Sequence, residues 1–131
     1  MKSVILVISA LLLTACATTS QGPNEQDLAI RQYIEDNGLQ EIHTIRDFDN
    51  PGQLIVNRRY IIAYMRKTQY LFEYAYECKL AELGTAGRPS DKRRRSKSIS
   101  SGTDTFRGCA VKAIYPITYP QAEDLMALGR T

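Results

Sequence analysis

From Arg58 to Cys78 the chain reads RRYIIAYMRKTQYLFEYAYEC, two apolar and aromatic runs parted by the polar tip Arg66-Lys67-Thr68. No other stretch limits the fold as much. Alternation at period two puts Ile61, Ala63 and Met65 of the first run on one face, with Tyr70, Phe72 and Tyr74 of the second. With Lys67 and Thr68 at the tip of a hairpin, Met65 faces Tyr70, Ala63 faces Phe72 and Ile61 faces Tyr74. A slip of one residue would set apolar against charged side chains along the whole ladder. The opposite face, with Tyr60, Ile62, Tyr64, Leu71, Glu73 and Ala75, is mixed. A helix over 70–83, striped by Leu71, Ala75, Leu80 and Leu83, competes with this reading. The β-favouring run YLFEYAY decides for strand, leaving a helical turn only in KLAELG.

The segment FRGCAVKAIYPI repeats the alternation, with Cys109, Val111, Ala113, Tyr115 and Ile117 on one face and Lys112 opposite. If the strand through Phe72 and Tyr74 continues, Cys78 shares their face, and both sulfurs point to the expected core. Cysteine is scarce: one of the three, Cys16, belongs to the N-terminal segment, and Cys78 and Cys109 remain as a pair that reads as a disulfide. No zinc pattern arises from two cysteines and the single His43, and no Cys-x-x-Cys redox pair is present. The bridge would close a loop of about 30 residues, worth about 3.5 kcal/mol by the chain-entropy argument. Against a typical net stability of roughly 5–15 kcal/mol, that amount decides whether a small domain folds.

Three further elements complete the expected domain, residues 25–131. Asn24 caps a helix in EQDLAIRQYIEDNG, with Ala29, Ile30, Tyr33 and Ile34 on one side, Asp27 in the first turn and Gly38 as the stop. EIHTIRDF and LIVN flank DNPGQ, where Pro51 and Gly52 suit the centre of a type II turn, a hairpin signal. In YPQAEDLMALG, Pro120 opens and Gly129 closes a short helix packed through Leu125, Met126 and Leu128. The expected class is α+β: an antiparallel sheet of about five strands, the N-terminal helix on one face, a short C-terminal helix and one disulfide.

The N-terminus supplies the address. Met1-Lys2 precedes an apolar run from Val4 to Leu13, too short for the roughly 20 residues that cross a bilayer as a helix. It suits the h-region of a secretory signal. Leu13-Thr14-Ala15-Cys16 resembles the lipobox of bacterial lipoproteins. That resemblance implies a signal peptide over 1–15 and a lipid-attachment site at Cys16, with acyl chains on its sulfur and amine; more than one chain is what stable anchoring requires. An ordinary signal peptide with a chance cysteine is the alternative. Ala17, where an aspartate would argue otherwise, implies sorting to the outer membrane of a Gram-negative envelope, facing the periplasm. Residues 16–24, CATTSQGPN, read as a tether that reaches about 30 Å at most.

The order of features also resembles a family of small proteobacterial lipoproteins, domain-of-unknown-function family 6491. The matching parts are YLFEYAYECKLAEL, the turn Gly102-Thr103-Asp104, and CAVKAIYPIT from Cys109 to Thr118. The resemblance implies a paired-cysteine domain and names no activity. Its members often carry a tryptophan before the first hairpin; this chain has none, and Phe48 stands nearest that place.

Charge is the strongest functional hint. Between Gly84 and Lys97, GTAGRPSDKRRRSK holds Arg88, Lys92, Arg93, Arg94, Arg95 and Lys97 against Asp91, while the rest of the chain is net acidic. Lys92, Arg93, Arg94, Arg95 and Lys97 are the expected contact to anionic lipid, at up to about 1 kcal/mol per basic residue near a charged surface, or to an acidic envelope protein. A solvated loop within the disulfide-closed segment is the plainer reading. Export excludes nucleic acid. No cofactor motif and no catalytic set is visible: His43 lacks a partner, SISSG lacks the Gly-x-Ser-x-Gly elbow, and Asp104 and Arg107 suit a pairing across a turn. Glu73 and Glu77 are expected on an exposed strand face, not converging across a cleft. The eight tyrosines suit either a sugar-stacking platform or a small core with hydroxyls at its rim. The expected function is a non-enzymatic, lipid-anchored binding or scaffolding module; an envelope hydrolase is the alternative, and would need a carboxylate-lined cleft.

Overall fold

The computed structural model describes residues 24–49, 51–79 and 97–130. Its elements are α1 (Glu25–Asp36), β1 (Thr44–Ile45), β2 (Gly52–Ile55), β3 (Tyr60–Tyr64), β4 (Gln69–Tyr74), β5 (Ile99–Ser100), β6 (Thr105–Phe106), β7 (Cys109–Ile117) and α2 (Tyr119–Leu128). Five strands form a curled antiparallel sheet in the order β2-β3-β4-β7-β6, and β1 with β5 makes a separate two-stranded ribbon. The expected class holds: an antiparallel five-stranded sheet, an N-terminal helix on one face, a short C-terminal helix and the Cys78–Cys109 disulfide.

Both helices begin where side chains satisfy their first amides. The Asn24 side chain accepts from the Asp27 N–H at 2.8 Å, and Gly38 follows the C-cap at φ +59°. Thr118 and Gln121 form a reciprocal capping box ahead of α2, with Pro120 in its first turn.

The sheet is buried on both faces. One face packs Ile61, Ala63, Phe72, Tyr74, Cys78, Val111 and Ile114 against Ile45, Phe48, Ile99 and Phe106. The chain's three phenylalanines, Phe48, Phe72 and Phe106, meet there with ring centroids 5.2–5.7 Å apart. The other face sets Tyr60, Ile62, Leu71 and Ile117 under Ile30 of α1 and Ala122 and Leu125 of α2. Alternation thus identified one of two cores, and the helices cover the face read as mixed.

Three local expectations are corrected. The hairpin around Pro51-Gly52 does not form: β1 pairs with β5, and Gly52 lies within β2 opposite Tyr64. The β3–β4 register is Ile61↔Phe72 and Ala63↔Tyr70, two residues from the expected pairing, because Met65 N–H bonds Thr68 O and puts Arg66 and Lys67 at the tip. A shift of two preserves the face, so all six side chains still share one core. The single face expected for β7 is split by an irregularity opposite Glu73 and Tyr74, where Glu73 pairs with Ala113 but Tyr74 with Val111. Beyond this bulge Ile114 joins the disulfide-side core, whereas Tyr115 and Ile117 join the helix side.

Candidate functional site

Cys78 and Cys109 are joined, their Cα atoms 6.0 Å apart, and both belong to the core opposite the helices. Strand β4 ends at Tyr74, four residues short of Cys78, whose amide bonds Arg58 O at 2.6 Å. Cys16, Lys92, Arg93, Arg94 and Arg95 lie outside the described residues, as does the helical turn expected after Lys79. Of the basic run, Lys97 is described: its ammonium is 3.4 Å from Asp49, both exposed.

The acidic residues expected at the surface are partly inside. Glu73 is 4% exposed, corrected from its outward placement, and its Oε1 takes Lys112 Nζ at 3.0 Å and Arg31 at 3.5 Å. Glu77 does face solvent, beside Arg58 at 3.8 Å. Asp27, a helix-start residue by pattern, is buried as well: Asn57 donates to it at 2.8 Å and Arg59 lies 3.4 Å away. These carboxylates are neutralised by cations and bind α1 to the sheet and the base of the hairpin; they are not arranged to handle a proton in a cleft.

The other chemistry-bearing residues also take structural parts. Asp104 Oδ2 accepts the Ser100 N–H at 2.7 Å in place of the expected pairing with Arg107. Arg107 and Gly108, both at positive φ, make the two-residue turn from β6 to β7, with the guanidinium over the Phe106 ring. The ribbon of β1 and β5 brings His43 Nδ1 to 3.1 Å from Ser101 Oγ. That serine is only 4% exposed and its hydroxyl also faces the His43 carbonyl oxygen at 3.4 Å, so it closes a turn and does not present a nucleophile. Among the described residues no three His, Cys, Asp or Glu side chains are placed to hold a metal ion, and no helix is long and apolar enough to cross a membrane.

The tyrosines divide. Tyr60 and Tyr74 are buried, and the Tyr74 hydroxyl donates to Phe106 O at 3.1 Å. Burial pushes the Tyr33 and Tyr60 hydroxyls up to about 12; a hydrogen bond to Asp124 adds to the first, and the charge of Glu73 to the second. Burial also raises the pKa of Tyr115. Tyr64 and Tyr119 instead face solvent, at 42% and 66% exposure.

These two rings belong to a groove of about 550 Å³ between the β2–β3 corner and α2. Leu54, Tyr64 and Gln69 come from the sheet. Tyr119, Ala122, Glu123, Met126 and Ala127 come from α2 at spacings of three, four and seven, which is one helical face, and Arg130 follows just past its cap. Its size falls in the range of ligand pockets and its walls are largely apolar. Gly52 makes part of the shape: a Cβ there would collide with the Tyr64 ring, so the missing side chain lets the ring lie across the edge strand. The buried side-chain oxygen of Gln69 has no donor among the described residues. Tyr64 and Tyr119 were visible in the sequence only as two tyrosines among eight; what sets them apart is the placement of α2.

No family model, no curated protein and no solved structure matches this chain.

Proposed function

We propose that this protein is a lipid-anchored component of the Gram-negative cell envelope, held at the outer membrane through Cys16 and facing the periplasm, where it binds or scaffolds another envelope component. The observation that carries this reading is the Cys78–Cys109 disulfide within the core, a bond that persists in an oxidising compartment. It supports export, and the lipobox-like Leu13-Thr14-Ala15-Cys16 supplies the means of retention. Kinship with domain-of-unknown-function family 6491 belongs to the same proposal and rests on the short motifs around the two cysteines. Binding is favoured over catalysis because the buried carboxylates are paired with cations, while the groove is apolar and flanked by two exposed tyrosines. The basic run from Lys92 to Lys97 would meet anionic headgroups or an acidic partner close to the membrane.

Intact-mass analysis of the protein from bacterial membranes tests the anchor. Wild type should carry a triacyl mass increment and lack residues 1–15, and Cys16→Ala should lose the increment. The same increment on the variant would refute lipidation at Cys16. Crosslinking of the anchored protein in intact cells tests the binding role: a discrete adduct is expected, and none under any crosslinker would refute it.

A further inference from the structure

We propose that β2 and α2 together form a docking slot for an extended polypeptide segment, which adds as a strand to the outer edge of β2 and sends every second side chain into the groove. This deepens the binding reading above and rests on it.

The hydrogen-bond phase of the sheet is the first support. Val56 N–H bonds Tyr60 O at 3.1 Å, one step beyond the Ile55↔Ile61 pair, so Val56 faces β3, while the Tyr60 N–H closes the turn on Asn57 Oδ1. Pairs alternate in an antiparallel ladder, which turns Leu54 and Gly52 inward and leaves the N–H and C=O of Gln53 and Ile55 pointing away from β3. Among the described residues no strand pairs with that side of β2.

The second support is the contrast between the two edges of the sheet. On the far side, β6 is two residues long, and β7 carries Pro116, which has no N–H to offer. β2 has no charge and no proline, and its Leu54 and Ile55 are exposed. Such an edge invites a partner strand.

The third support is the wall beside it. The last turn of α2 approaches the end of β2 so closely that a Cβ on Gly129 would strike Val56. Tyr119, at the other end of the helix, stands with Tyr64 in the groove. Helix and strand therefore run side by side, and their lengths match: four strand residues span about 13 Å and ten helical residues about 15 Å. An added strand along the outer edge of β2 would gain main-chain bonds from β2 and, through the side chains it turns into the groove, apolar contact with Leu54, Met126 and the two rings. Glu123 on α2 and Arg130 just past its end both line the groove and offer opposite charges at separate points, suiting a segment with a basic residue toward one end and an acidic residue toward the other. A lone segment fits better than a second copy, because antiparallel two-fold pairing of β2 with itself would bring a second α2 onto the same face.

The test uses the full chain in detergent micelles with its disulfide intact, and as probe a capped seven-residue peptide of sequence Lys-Val-Thr-Val-Thr-Val-Glu. Amide NMR should show the peptide shifting Gln53 and Ile55, with resonances of Tyr64 and Tyr119 following. Methylating the peptide's alternate backbone nitrogens that face β2 should weaken binding at least about tenfold. Ile55→Pro deletes one outward N–H and should do the same while keeping the thermal midpoint. Should that variant not fold, Ala127→Arg fills the groove from an exposed helix position and should weaken binding about as much. The proposal is overturned by unmoved Gln53 and Ile55 amides up to about 1 mM peptide, a weak limit for such motifs, or by undiminished binding to the variants. It is equally overturned if the shifts follow protein concentration without peptide, which would make a second copy the occupant, or if chitotetraose moves the two tyrosines and peptide does not. A discrete adduct in cells alongside peptide failure would sink this proposal and leave the binding reading standing.

Discussion

Tyr60 is fully buried on the helix side of the sheet, and its nearby hydroxyl raises the Arg31 pKa without a full hydrogen bond between the two. Burial, reinforced by the charge of Glu73, lifts the tyrosine from 10.0 to about 12, and Tyr33 is lifted as far. Between these values the unfolded chain gives up the phenolic protons while the folded chain keeps them. The folded state then binds more protons, so stability falls as pH rises. Thermal midpoints should be unaffected by these two groups below pH 10, decline from about pH 10 and level off above about 12. Tyr60→Phe should flatten the decline at little cost near neutrality. An alkaline decline identical in the variant would show that Tyr60 does not contribute.

At the scale of elements, the edge strand puts a bond-forming backbone and an exposed ring in one place. Gly52→Ala tests how they are linked. The added methyl meets the far end of a movable side chain, so the ring should swing outward while the strand stays paired. Stability should change by less than about 1 kcal/mol, because alanine also suits an element interior better than glycine. The Tyr64 ring resonances should shift and the groove lose one wall. A loss of several kcal/mol in urea unfolding would mean that the ring is held in place and the strand itself is forced to move.

Much of this level was legible. The alternating run from Tyr60 to Tyr74 placed six core side chains on one face, and Asn24, Gly38 and Pro120 marked helix ends by local chemistry, whereas the Thr118 cap ahead of Pro120 was not read. What else escaped was non-local. Gly52 has the sequence signature of a turn, yet it serves a close approach by Tyr64, a residue twelve positions away. Thr44 and Ile45 find their partners at Ser100 and Ile99, over a separation no local pattern encodes. The bulge in β7 moves Ile114 to one core and Ile117 to the other, although strict alternation predicts a single face for the whole strand. Glu73 reads as solvent-exposed because the cations that neutralise it, Arg31 and Lys112, lie 42 and 39 residues away. The groove was illegible for the same reason: it exists only where α2 leaves the β2–β3 corner uncovered.

For the whole molecule, the two cores are not tied down equally. The helix-side core is held by α1, α2 and the buried ion pairs of Asp27 and Glu73. The opposite core is closed by short pieces, the two-residue strands β1, β5 and β6 together with Phe48 and Phe106, which contribute few ladder bonds. The Cys78–Cys109 bridge, at a sequence separation of 31, spans the segment that supplies β5 and β6 to that core. Its loss should therefore fall first on the weakly paired side. Reduction, or Cys78→Ser with Cys109→Ser, should cost about 3.5 kcal/mol by the chain-entropy argument. For a domain near 100 residues that lowers the thermal midpoint by roughly 15–25 °C. Amide exchange near Ile99, Phe106 and Val111 should accelerate before that at Ile30, Leu71 and Leu125. If protection is lost evenly over both faces, the bridge stabilises the fold only as a whole and the two cores melt as one unit.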